Sequence, residues 1–247
     1  MENFKPNQIL CMNYNDIEKI LPLDSVSLSI IFLPYEHIND EPYSKFESIL
    51  EKIKQVTKPG GICCFFVENT IDPESDTMSM NATKSILEIL DSQKDWVLND
   101  KIIWIKSPRA NTHQTDSHDS VTVISFEDTP FATIYVLVKN GSKFESVDFR
   151  EKVQSLSIPQ AQKDEIGEDF WYIQPSSEPE FTDRIPKELA FRLIMLFSNE
   201  NDLILDPFCG NGLVSLTANF LNRKFLCIDE NKINCRIANK RIKEKSP

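Results

Sequence analysis

Apolar and polar positions along this chain alternate between two rhythms. Short apolar-rich runs at 8–14 ("QILCMNY"), 27–33 ("SLSIIFL"), 61–67 ("GICCFFV") and 96–106 ("WVLNDKIIWIK") have the length and the Ile, Val and aromatic content of strands. Between the first two, "NDIEKILPL" predicts a short helical turn ended by Pro22. Residues 43–56, "YSKFESILEKIKQV", place Phe46, Ile49, Ile53 and Val56 on one helical stripe, and "KPGG" after them reads as a stop signal. A polar, acidic loop from Glu68 to Asp76 leads into a helix predicted near 79–93. Strand, helix, strand, helix, strand is the rhythm of a parallel sheet with crossover helices.

The middle of the chain has a different pattern. Residues 107–119, "SPRANTHQTDSHD", hold almost no apolar side chain and read as a surface loop. "SVTVISFE" and "FATIYVLVKNGSKFESV" predict β-type segments, the second with a turn at Asn140-Gly141, and 150–168 reads as a charged connector. Periodicity returns with "IPKELAFRLIMLFS" (185–198), an amphipathic helix opened by Pro186 with Leu189, Leu193, Leu196 and Phe197 on its core side. The stretch "DLILDPFCGNGLVSLTANFLNRKFLCIDENKINCRIANKRI" then runs strand, glycine loop, helix, strand, acid, helix. Gly210 and Gly212 lie where a strand must turn sharply into a helix and let backbone approach a ligand; Asp229 ends the next strand. Such a loop followed by such an acid suits an adenosine-bearing cofactor, with the carboxylate accepting from ribose hydroxyls.

A dinucleotide fold would show GxGxxG, whereas this loop reads "LDPFCGNG". It resembles the FxGxG cofactor loop of S-adenosylmethionine-dependent DNA amino methyltransferases, the N6-adenine and N4-cytosine enzymes, in the permuted order where catalytic motifs come first. "RIPKELAFRLI" is similar to the stretch just upstream of that loop in the family, and "KFLCIDEN" to its ribose-binding strand end. "LPLDSVSLSIIFLPY" resembles the stretch that ends in the family's Asp-Pro-Pro-Tyr.

The resemblance implies an α/β, Rossmann-like class I fold with a mostly parallel, circularly permuted seven-stranded sheet. Residues 1–106 would be the catalytic-motif half, 107–169 a short variable target-recognition region and connector, and 170–247 the cofactor-binding half. It implies S-adenosylmethionine as cofactor, held by Asp206, Phe208, Gly210, Gly212 and Asp229, with Asp16 at the adenine; a turn-forming Asp is the other reading of Asp16. Leu33, Pro34 and Tyr35 would be the catalytic residues: the Leu33 carbonyl accepts from the target amino group and Tyr35 stacks on a flipped base.

The sequence departs from the family at the first position of that tetrapeptide. Family members carry Asp, Asn or Ser there; here Phe32-Leu33-Pro34-Tyr35 offers no side-chain acceptor. That loss removes transition-state stabilisation of roughly 2–4 kcal/mol, by analogy with deletion of a single oxyanion donor. The function implied is methyl transfer to an exocyclic amino group of adenine or cytosine in DNA; the alternative is an inactive subunit that binds DNA or an active methyltransferase partner. Asn211, Leu213 and Val214 also replace more polar residues of the family's loop, which keeps its glycines.

Composition narrows the picture further. No apolar run approaches the ~20 residues of a membrane span, and "MENFKPNQIL" lacks a secretory leader's basic and apolar blocks, so a cytoplasmic protein is expected, or a nuclear one in a eukaryote. The six cysteines show no CxxC spacing, and His113 and His118 stand in the polar loop without partners at ligand spacing, so free thiols and no metal are expected. His37 and Asp40 follow Tyr35 and read either as polar groups at a catalytic mouth or as an ordinary surface loop. Trp104 and Trp171 read as core anchors.

The net charge is −11, yet residues 222–247 hold eight basic and three acidic residues, a local +5 that leaves −16 on the rest. A basic end on an acidic body suits either a solvated helix face or contact with phosphates. Scattered lysines elsewhere offer few phosphate contacts, so a homodimer, or a heterodimer with an active methyltransferase, would supply more surface for DNA.

Overall fold

The computed structural model describes residues 4–32, 42–69, 88–106, 131–141, 148–174 and 185–245. Their strands are β1 (Gln8–Cys11), β2 (Val26–Phe32), β3 (Thr57–Asn69), β4 (Trp96–Ile105), β5 (Phe131–Lys139), β6 (Phe170–Tyr172), β7 (Leu203–Asp206) and β8 (Lys224–Asp229). They form one sheet in the order β1-β8-β7-β2-β3-β5-β4-β6. Only β5 runs against the rest, pairing antiparallel with β3 on one side and β4 on the other. The helices are α1 (Ile17–Ile20), α2 (Pro42–Val56), α3 (Phe149–Ser155), α4 (Gln160–Ile166), α5 (Lys187–Phe197), α6 (Leu213–Phe220) and α7 (Lys232–Lys245), with a helical segment at 88–92.

Both faces of the sheet are covered. The first cluster of buried residues packs α3, α5 and α6 against Leu28, Ile30, Cys64 and Ile134. The second packs α1 and α2 against Ile31, Cys63, Phe65 and Leu137. Alternate residues of β2 and β3 therefore enter opposite cores, which is why these strands read as unbroken apolar runs.

Several expectations need correcting. The sheet has eight strands rather than seven, because the three-residue β6 adds to β4 through Trp104↔Trp171 and its neighbours. Residues 131–139, read from the sequence as a β-type segment, do form a strand, buried and inserted between β3 and β4. The connector at 150–168 carries two short helices whose large apolar residues, Phe149, Val153 and Ile166, are buried, and Asp148 caps the first by accepting the Arg150 N–H at 2.9 Å.

Helix α2 ends at Val56, as the stop signal "KPGG" predicts, and the strand begins at once at Thr57. "KPGG" lies within β3 as a bulge: the register shifts from Val26↔Thr57 to Leu28↔Ile62, with Gly60 at φ +76°. The first strand stops at Cys11, because Asn13 caps a 3-10 turn by accepting the Asn15 N–H. Helix α5 is buried on almost every side, Arg192 included; that guanidinium pairs with Glu188 and with Glu165 at 3.2 Å, and lies 5.5 Å from the Trp171 ring. The strand at 120–127 and most of the helix near 79–93 fall outside the described residues.

Candidate functional site

Parallel pairing brings four strand ends to one edge of the sheet. Leu28 and Ser29 of β2 pair with Ile204 and Leu205 of β7, Asp206 pairs with Cys227 of β8, and Asp229 pairs with Cys11 of β1. The carboxyl ends of β2, β7, β8 and β1 thus lie side by side, the position where open α/β sheets bind ligands.

Beyond β7 the chain makes a tight, hydrogen-bonded loop. Asp206 is buried and accepts the Phe208 N–H at 3.0 Å; the Cys209 N–H bonds the Ile228 carbonyl at 2.8 Å, tying the loop to β8. Gly210 adopts φ +53° and donates its N–H to Asp229 Oδ2 at 2.8 Å. A Cβ on Gly210 would meet nothing within 4 Å, so open space lies over this residue. Gly212, at φ +83°, precedes α6, and a Cβ there would come within 2.7 Å of the Ala238 Cβ of α7. One glycine therefore frees a surface, and the other lets two helices pack.

Asp229 is the hub. Its Oδ1 accepts the Asn231 N–H at 2.8 Å, and the Asn234 amide donates to both oxygens at 3.2 Å. Burial pushes the Asp206 carboxyl up to about 7; its bond from Phe208 opposes this and the nearby Asp229 adds to it. Cys209 lies against Cys227, and their hydrogen bond together with burial raises its thiol well above the usual range, so it packs rather than reacts. Five of the six cysteines are buried, Cys11 is exposed, and all six are free.

The remaining candidate residues divide between the described and undescribed parts. Phe208 lies 5.3 Å, ring to ring, from Tyr14, which joins the loop to the turn after β1. Asp16 ends that turn and pairs with Lys19 at 2.5 Å. Phe32 ends β2, and its half-buried ring lies 5.4 Å from that of Phe66 and packs on the core. Leu33, Pro34, Tyr35, His37 and Asp40 lie outside the described residues, as do His113 and His118. Among the described residues no cluster of His, Cys, Asp or Glu could hold a metal, and no helix is long and apolar enough to cross a membrane. Sequence reasoning missed Asn234, although an amide in the first turn after an acid-ended strand is a readable signal for a carboxylate partner.

A sequence profile of the family described as DNA methylase matches residues 33–240. The chain belongs to the DNA methylase family. The family is that of the N6-adenine and N4-cytosine DNA methyltransferases. The methylase is 25% identical over 240 residues to the orphan methyltransferase M.BamHII of Bacillus amyloliquefaciens, covering 89% of each chain. It is 25% identical over 249 residues to the type II methyltransferase M.HpaI of Haemophilus parainfluenzae, covering 95% of the chain and 74% of the relative. Two solved structures share its fold. The cytosine-N4-specific PvuII DNA methyltransferase superposes with a TM-score of 0.71 at 15% identity, covering 97% of this chain and 89% of that one. TTHA0409 of Thermus thermophilus, solved with S-adenosyl-L-methionine, gives 0.69 at 17% identity, covering 97% and 94%. The chain thus has the permuted Rossmann-like fold expected.

Proposed function

We propose that the methylase binds S-adenosylmethionine through Asp206, Phe208, Gly210, Gly212 and Asp229, and transfers methyl groups to a DNA amino nitrogen at the end of β2. On this reading, residues 1–106 and 170–247 supply the two halves of one domain. The observation that carries it is the Gly210–Asp229 hydrogen bond beneath open space, beside the carboxyl end of β2. When bound, S-adenosylmethionine supplies an electrophilic methyl on a sulfonium. The chain's own residues fit such a cation: two carboxylates, Asp206 and Asp229, stand at one sheet edge, and no described cation pairs with either. Ionised Asp206 would be favoured by a positive ligand, which offsets the burial that now disfavours its charge. On this reading Asp16, which pairs with Lys19 through Oδ1, contacts the adenine.

At the target, the Leu33 carbonyl is the acceptor retained and Tyr35 the stacking platform. Phe32 contributes no acceptor, so transfer should run about 10²- to 10³-fold slower than with an intact motif.

The packing of Phe32 on Phe66 favours a second reading, a non-catalytic subunit whose target pocket is closed by that ring and which works beside an active methyltransferase. A tritiated methyl-transfer assay on mixed-sequence DNA separates the two. It compares wild type with Phe32→Asp/Leu33→Pro, each alone and with an active relative. Activity of wild type alone supports the enzyme, and the double variant should then be faster by orders of magnitude. Silence of both, with activity only beside the relative, refutes it.

A further inference from the structure

Helix α7 carries four exposed cations on one stripe. Lys232, Arg236, Lys240 and Lys243 are all exposed, and at about 100° per residue they fall within an arc of roughly 80°. The opposite face packs, with Cys235 and Ala238 buried and Ile242 against the core. A solvated helix face commonly interleaves both signs of charge. Here Glu244 is the helix's sole acid, and it stands 3.7 Å from Lys240 with both side chains largely exposed. Among the described residues Lys232, Arg236 and Lys243 have no ion-pair partner. The rest of the chain repels polyanions, since residues outside 222–247 sum to −16.

The position of the stripe matters as much as its charge. Helix α7 starts three residues after Asp229 and is tied to the loop below β7 at two points. Ala238 packs where a Gly212 side chain would stand, and Arg241 Nη1 donates to the Asn211 carbonyl at 3.2 Å. A load on the outer face of α7 is therefore held at a fixed place relative to Gly210 and Asp229.

We infer that the outer face of α7 binds the phosphate backbone of duplex DNA, as a sequence-independent anchor that registers the duplex against the cofactor loop. The inference rests on the DNA reading above. From Lys232 to Lys243 the helix spans about 16 Å, a length over which a duplex carries about ten phosphates. That is enough for each of the four cations to meet one. Ammonium and guanidinium groups on solvated stems suit such contacts, because they hold position without reading bases.

The test compares wild type with K232Q/R236Q/K240Q/K243Q, measuring duplex affinity across a salt series. K94Q, an exposed lysine elsewhere, is the control for general charge. Replacing all four should make the slope of log K against log salt shallower by about 3–4. K94Q should leave the slope unchanged, and the calorimetric affinity of both variants for S-adenosylmethionine should equal that of wild type. Equal slopes for wild type and the quadruple variant overturn the inference while leaving the DNA reading intact. Equal slopes with loss of a wild-type dimer in sedimentation assign the stripe to protein association instead. A wild type that binds S-adenosylmethionine but no duplex at low salt overturns the DNA reading together with this one.

Discussion

Gly210 and Asp229 are joined by a hydrogen bond of 2.8 Å, so the glycine loop and the acid of the next strand form one unit. Replacing the carboxylate leaves the Gly210 N–H without its partner, at a cost of about 1–3 kcal/mol. Asp229→Ala should therefore lower the melting temperature by several degrees. It should also weaken S-adenosylmethionine binding by at least tenfold, because a charged acceptor is lost. Thermal melts and calorimetry measure the two effects. Full cofactor affinity in a folded Asp229→Ala protein would remove this residue from the site.

The two loop glycines should respond differently to alanine. At Gly212 a methyl would meet Ala238 at 2.7 Å as well as strain the backbone at φ +83°, so Gly212→Ala should cost about 2–4 kcal/mol. At Gly210 the space is open and only the backbone conformation resists, for about 1–2 kcal/mol. Gly210→Ala should fold but bind cofactor poorly, since its methyl enters the space a ligand would occupy. Urea unfolding beside calorimetry separates the pair; equal stability loss at both positions would contradict this packing.

Asp206 makes the methylase sensitive to pH. Burial holds its carboxyl at about 7 in the folded protein against 3.8 as the ordinary value. A raised carboxyl contributes stability that is fully present below the ordinary value and is lost as pH climbs through about 7. Asp206→Asn should therefore be more stable than wild type at pH 8, by up to about 4 kcal/mol, with the gap closing as the pH falls toward 4. Cofactor affinity should move the other way: ionised Asp206 attracts a cation, so wild-type binding should tighten from pH 6 to pH 8 while Asp206→Asn stays flat. Unfolding curves and calorimetry across that range decide both.

Much of this molecule was legible in its residues. "DPFCGNG" stands at a readable strand-to-helix turn, so the loop and the family it resembles could be read before the fold was known. The lateral order of the strands could not, because it depends on contacts between distant segments; nothing in "FATIYVLV" says that β5 inserts between β3 and β4. The helices α3 and α4 were hidden by charge, with three buried apolar residues in a stretch rich in Lys, Glu and Gln. Arg192 was assigned no role because a cation inside a helix core becomes intelligible only when Glu165, Glu188 and Trp171 arrive around it. The two hydrogen bonds that the Asn234 amide donates to Asp229 are local, and so were within reach of the sequence.

The order β8-β7-β2 also bears on synthesis. On the ribosome, β2 and β3 emerge early, but the strand that flanks β2 on its other side, β7, is made long afterwards. Until then Leu28 and Ile30 have neither β7 beside them nor α5 and α6 above them, and the nascent chain carries an uncovered apolar edge. The glycine loop and Asp229 come later still. A stalled or truncated chain could thus present half of the sheet with no capacity to hold the methyl donor, and its survival would depend on chaperones shielding β2 until the last strands arrive.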